Sequence, residues 1–104
     1  MAAITIPGTD GFRPMALEQV NGNPAVVFHD DTANQFKYVR ATNASGTAWG
    51  TSVEIENSGE AASFLGFDAS LAIVNGNPAL SYYRGNTNGD IGYVRSSDIN
   101  GASW

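Results

Sequence analysis

The chain has 104 residues, a formal net charge of -5 and no cysteine. That length is the size of one domain, and without thiols neither a disulfide framework nor a thiolate metal site is available. Five Lys and Arg in all are too few to cluster against nucleic acid or an anionic membrane, and no apolar run approaches the roughly 20 residues of a membrane helix.

Charged residues make up only 14% while glycine numbers 12, a composition for turns and small-residue packing, not for long surface helices. Met1-Ala2-Ala3-Ile4 lacks the basic start and long apolar stretch of a signal peptide. Ala3-Ile4-Thr5-Ile6 alternates and reads as a short strand that Pro7-Gly8 ends. A turn-rich passage from Thr9 to Pro14 leads to a second strand, Met15 to Val20. Asn21-Gly22 is a hairpin signal, because a type I′ turn needs positive φ at both central residues. Pro24 to His29 is the return strand, with proline tolerated at its first position. Asp30 to Asn34 is a loop, Gln35 to Arg40 the next strand, Asn43 to Gly46 a turn, and Thr51 to Ile55 the strand that runs back. Glu60 to Leu65 has room for one short helical turn between Gly59 and Gly66. Then the script restarts, with strands at Ala69 to Val74, Pro78 to Tyr83 and Asp90 to Arg95.

The restart is literal. Val20-Asn21-Gly22-Asn23-Pro24-Ala25 recurs as Val74-Asn75-Gly76-Asn77-Pro78-Ala79. Tyr38-Val39-Arg40, Gly46 and Trp49 recur as Tyr93-Val94-Arg95, Gly101 and Trp104. Two widely spaced landmarks in the same order define an internal repeat, and a spacing of about fifty residues is that of propeller blades and other arrays. Four short strands per unit with tight turns match a blade. The expected fold is therefore all-β, one module of two four-stranded blades. Blade one spans about residues 15–55, and blade two about 69–104.

Blade two reaches Trp104 where Trp49 in blade one is followed by a fourth strand. Trp49 precedes Val53 and Ile55 by the same steps by which Trp104, joined to the start of another chain, would precede Ile4 and Ile6. The expectation is head-to-tail assembly of identical chains, with residues 3–6 of a neighbour completing blade two and the strand swap closing a ring. Propellers of about 4 to 8 blades make the oligomer a dimer, trimer or tetramer. The trimer is the first expectation and the tetramer the second. A monomeric β-sandwich of seven or eight strands is the alternative.

Ser96 to Trp104 resembles the Asp-box of sialidase-type propellers, usually Ser-x-Asp-x-Gly-x-Thr-Trp, with one extra residue between Asp98 and Gly101. Ala41 to Trp49 departs further, with Ala for Ser and Asn43 for Asp. In that family the box is a structural turn away from the active site, so the resemblance implies fold roles for Asp98, Asn43, Trp49 and Trp104. A short carboxylate or amide accepts hydrogen bonds from its own turn, Gly supplies positive φ, and Trp covers the hairpin. Sialidases also use an arginine cluster, a Tyr supported by Glu, and an Asp acid/base. Arg40 and Arg95 are equivalent repeat positions, and no Tyr–Glu pairing is discernible. The resemblance therefore implies the architecture and not the activity, and no catalytic residue is assigned.

His29-Asp30-Asp31 is the most polar cluster and holds the only histidine. Neighbouring strand residues point to opposite faces, so it reads as a solvated loop. Asn86 to Asp90 has alternating oxygen ligands but lacks the downstream Glu of a calcium loop. Asn43-Ala44-Ser45 is a formal glycosylation sequon in a tight turn. Neither a cofactor nor a metal is expected. The turns at one end of each blade are constant between copies, and the loops at the other end vary. The variable end carries Phe12, His29, Asp30, Asp31, Tyr83 and Arg84, with Phe64 and Phe67. Aromatic faces beside amides and acids suit a carbohydrate or a peptide, repeated around a ring. The competing reading packs these aromatics between blades. The functional expectation is a non-catalytic, self-assembling, lectin-like module. A purely structural repeat, natural or engineered, is the alternative, and a sialidase-like hydrolase a third.

Overall fold

The computed structural model describes residues 2–9, 13–30, 32–33, 35–57, 69–84 and 90–104. The described residues form two antiparallel sheets and contain no helix. Sheet one has four strands in sequence order: β1 (Arg13–Val20), β2 (Asn23–Asp30), β3 (Gln35–Arg40) and β4 (Val53–Asn57). Sheet two has three: β5 (Ala69–Val74), β6 (Asn77–Arg84) and β7 (Asp90–Arg95). The span from Glu60 to Leu65 lies outside the described residues.

Both Asn-Gly pairs make the hairpins their sequence requires. Asn21 and Gly22 have φ of 45° and 84°, and Asn75 and Gly76 have 48° and 84°. These are the left-handed values of a two-residue turn that matches strand twist. Register follows: Val20 faces Asn23, and Val74 faces Asn77. A bulge between Pro14 and Ala16 offsets the start of β1.

β2 is buried along most of its length, because both of its faces are covered. Ala25 and Val27 belong to the core shared with sheet two. Val26 and Phe28 point the other way, and with Pro14 they line an open cleft whose far wall is Ile4, Thr5 and Ile6. Ala3 to Ile6, read from sequence as a strand, join no ladder with the described residues of the chain.

The two sheets pack face to face. Val20, Ala25, Val27, Phe36, Tyr38 and Ile55 of sheet one meet Leu71, Leu80 and Tyr82 of sheet two. Phe36 and Tyr82 place their ring centroids 5.1 Å apart, and Tyr38 meets Trp104 edge-on at 5.3 Å. Such pairs add about 0.5–1.5 kcal/mol to the burial of area alone. The inner strands β1 and β5 are also in contact.

Candidate functional site

The repeated landmarks form one device, built twice. In sheet one, Arg40 Nε donates to Val20 O at 2.9 Å and Nη2 to Asn21 O at 2.8 Å. In sheet two, Arg95 makes the same two bonds to Val74 O and Asn75 O, both at 2.7 Å. Asn23 Nδ2 donates to Ala41 O, and Asn77 Nδ2 to Ser96 O, each at 2.9 Å. The hexapeptide and the Tyr-Val-Arg triplet thus recur together because the arginine of one fastens the hairpin of the other. Charged donors on carbonyls are among the stronger hydrogen bonds. Each guanidinium thus spends two donors on the hairpin of its own sheet.

The turns ending in tryptophan are equally matched. Trp49 Nε1 donates to Gly46 O at 2.9 Å, and Trp104 Nε1 to Gly101 O at 2.8 Å. Asp98 holds its turn as the sequence implies. Its Oδ1 accepts from Ser103 N at 3.0 Å and from Ser96 Oγ at 2.9 Å, and its Oδ2 accepts from Asn100 N at 3.2 Å. Burial pushes this carboxyl up, but the donors from Ser103, Ser96 and Asn100 outweigh it and hold it below the ordinary range. Asn43 does the same work without charge: Oδ1 accepts from Thr47 N at 3.0 Å while Nδ2 donates to Thr47 Oγ1 at 2.7 Å. One of these turns also reaches across to the other sheet. Tyr38 O–H donates to Asn100 O at 2.8 Å, and Asn21 Nδ2 to Asn100 Oδ1 at 2.8 Å. A Cβ on Gly101 would come within 2.5 Å of the Tyr38 ring, so glycine there serves both the positive φ and the approach of the tyrosine. Burial pushes the Tyr38 hydroxyl up to about 12.

The candidate ligand residues are not brought together in this way. His29 and Asp30 are buried in β2, not solvated in a loop. His29 lies edge-on to Phe36 at 5.7 Å. Asp30 closes its own turn by accepting from Thr32 N at 2.9 Å and Ala33 N at 3.0 Å, and it pairs with Lys37 Nζ at 2.8 Å. The Lys37 bond holds its carboxyl below the ordinary range. The sequence hid this burial because a short acid after a strand looks the same whether it faces water or its own turn. Tyr83 is 40% exposed, opposite Ile91 on β7. Phe12 and Asp31 lie outside the described residues, and Arg84 is described by its backbone alone. Asn86 and its neighbours through Gly89 also lie outside. Among the described residues no group of three or more His, Asp or Glu is placed to hold a metal ion.

What sequence reasoning missed is a surface. The face of sheet two that points away from sheet one carries Val74, Tyr83, Ile91 and Tyr93, with Ile91 83% and Tyr93 60% exposed. By repeat position Ile91 corresponds to Phe36 and Tyr93 to Tyr38, both buried between the sheets. The opposite end of the molecule has the converse. Leu17 of sheet one is 69% exposed, while its counterpart Leu71 is buried against sheet one. Comparison with family models, curated proteins and solved structures gave no match.

Proposed function

We propose that the chain is a non-catalytic β-propeller repeat module that assembles with its own kind into a ring. One observation carries this reading. The contact between the two sheets uses one face of sheet one and the opposite face of sheet two. The repeat-equivalents of the first lie exposed on sheet two, and Leu17, a repeat-equivalent of the second, lies exposed on sheet one beside the cleft that Val26 and Phe28 share with Ile4 to Ile6. Phe36 and Tyr38 are covered, but Ile91 and Tyr93 are not; Leu71 is covered, but Leu17 is not. An interface whose two halves recur unpaired on one molecule is heterologous and propagates head to tail, closing when the rotation allows. Exposed large apolar side chains gathered on one face mark an interaction site, and here the complementary face is known from within the chain. Three copies, giving six blades, are the favoured ring, and four copies are next.

Within that ring the loop end remains the surface for a carbohydrate or peptide, with Phe12, Asp31 and Arg84 as the candidate contacts. The purely structural alternative has support of its own. Asp30 is consumed by its turn and Lys37, and His29 is buried against Phe36. Tyr83 is the repeat-equivalent of His29, so in this reading it packs between blades. Glycan and peptide arrays probed with the assembled protein decide between the two. Hits abolished by Phe12→Ala support the binding module, and clean arrays from an intact assembly support the structural one.

A further inference from the structure

We infer that Ile4-Thr5-Ile6 is the fourth strand of a composite sheet whose other three strands, β5, β6 and β7, come from a second copy of the chain. The inference rests on the assembly proposed above and assigns its contact residue by residue. Ile4-Thr5-Ile6 repeats the apolar–polar–apolar order of Val53-Glu54-Ile55 in β4. In β4 those apolar side chains belong to, or pack against, the core that includes Leu80 and Tyr82. The repeat-equivalents of Leu80 and Tyr82 are Val26 and Phe28, and these line the cleft of about 280 Å³ that Ile4, Thr5 and Ile6 wall on the other side. The N-terminal segment therefore stands to sheet one as β4 stands to sheet two. It occupies the place that an outer strand of a neighbouring blade would take against sheet one.

β4 is held in its place by β3, through the pairs Tyr38↔Val53 and Lys37↔Glu54. The counterparts of Tyr38 and Lys37 are Tyr93 and Gly92 of β7. β7 is an edge strand, bonded only to β6 among the described residues. Two edges with no ladder partner among the described residues, one on Ile4-Thr5-Ile6 and one on β7, thus carry the two halves of a ladder already present between β3 and β4. The second copy pairs in the register Tyr93↔Ile4 and Gly92↔Thr5. Docking on the Leu17 face and completing the ladder are then one event, because the strand is seated on that face before the partner arrives. The same docking brings Tyr93 of the second copy to Ser45 and Trp49, the counterparts of Asn100 and Trp104, which Tyr38 meets within the chain.

The absence of cysteine makes a disulfide reporter unambiguous. In the Ile4→Cys, Tyr93→Cys double variant, directly opposed residues lie within the roughly 4.4–6.8 Å that a disulfide spans. Mild oxidation of the assembled variant is expected to convert nearly all chains to chain-to-chain disulfides. Because either substitution can weaken the fold, the parent protein is tested alongside by isotope-filtered nuclear Overhauser spectroscopy on mixed labelled and unlabelled chains. Cross-chain contacts from Ile4 to Tyr93 are expected there. An assembly of normal mass with neither the disulfide nor those contacts overturns the composite sheet while leaving the ring. A disulfide closed within single chains, or a parent protein that stays monomeric, overturns both.

Discussion

At the residue scale, the fold is fastened by a few polar side chains that answer to backbone atoms. Asp98 accepts three hydrogen bonds from its own turn, so Asp98→Ala should cost about 1–3 kcal/mol in chemical denaturation. Asp98→Asn should cost less, because Asn43 holds the equivalent turn with an amide. The sign of the pH effect follows from the depressed carboxyl. Its contribution is complete above the unfolded value of 3.8 and is lost as pH falls through the lower folded value. The Asn variant should therefore lose less stability than the parent on acidification below that point. Tyr38 runs the opposite way. Its hydroxyl is raised from 10.0 to about 12, so the stability it adds is whole below pH 10.0 and disappears as pH rises through about 12. Tyr38→Phe should cost about 1 kcal/mol near neutrality and remove that share of the alkaline loss, measured by thermal melts across the range.

At the scale of elements, much was readable because the signals are local. β3, β5 and β7 fall at the bounds read from the sequence, and both Asn-Gly turns adopt the dihedrals their residues demand. The Asp98 turn was readable for the same reason, since its partners lie within five residues of it. Three features were not readable, and each depends on contacts made with another strand or sheet. The burial of His29 and Asp30 comes from Phe36 and Lys37 on the neighbouring strand. The closeness of Gly101 to Tyr38 comes from sheet packing. The unequal fate of Phe36 and Ile91, nearly interchangeable in sequence, is decided by whether a second sheet covers them. That last pair supports a contrast. Phe36→Lys should unfold the chain, since it leaves a charge in the core. Ile91→Lys should leave the circular-dichroism spectrum intact while reducing the assembled mass to that of a single chain.

At the scale of the whole molecule, the two sheets pack through one face of each. That contact buries Phe36 and Tyr38, while their repeat-equivalents Ile91 and Tyr93 lie exposed on the far face of sheet two. Burying a side chain of that size gains about 1.5–3 kcal/mol, so the face stabilises any arrangement that covers it. A ring covers every such face with the same contact and leaves no open sheet edge, the feature that otherwise invites uncontrolled association. It would also repeat the loop end around one disc, raising avidity for a polymer without a new contact. The direct test is absolute mass by light scattering at several concentrations. The account predicts a closed assembly at a whole multiple of the 10.9 kDa chain, three times that mass in the favoured ring. A well-folded species that stays at 10.9 kDa throughout would contradict it.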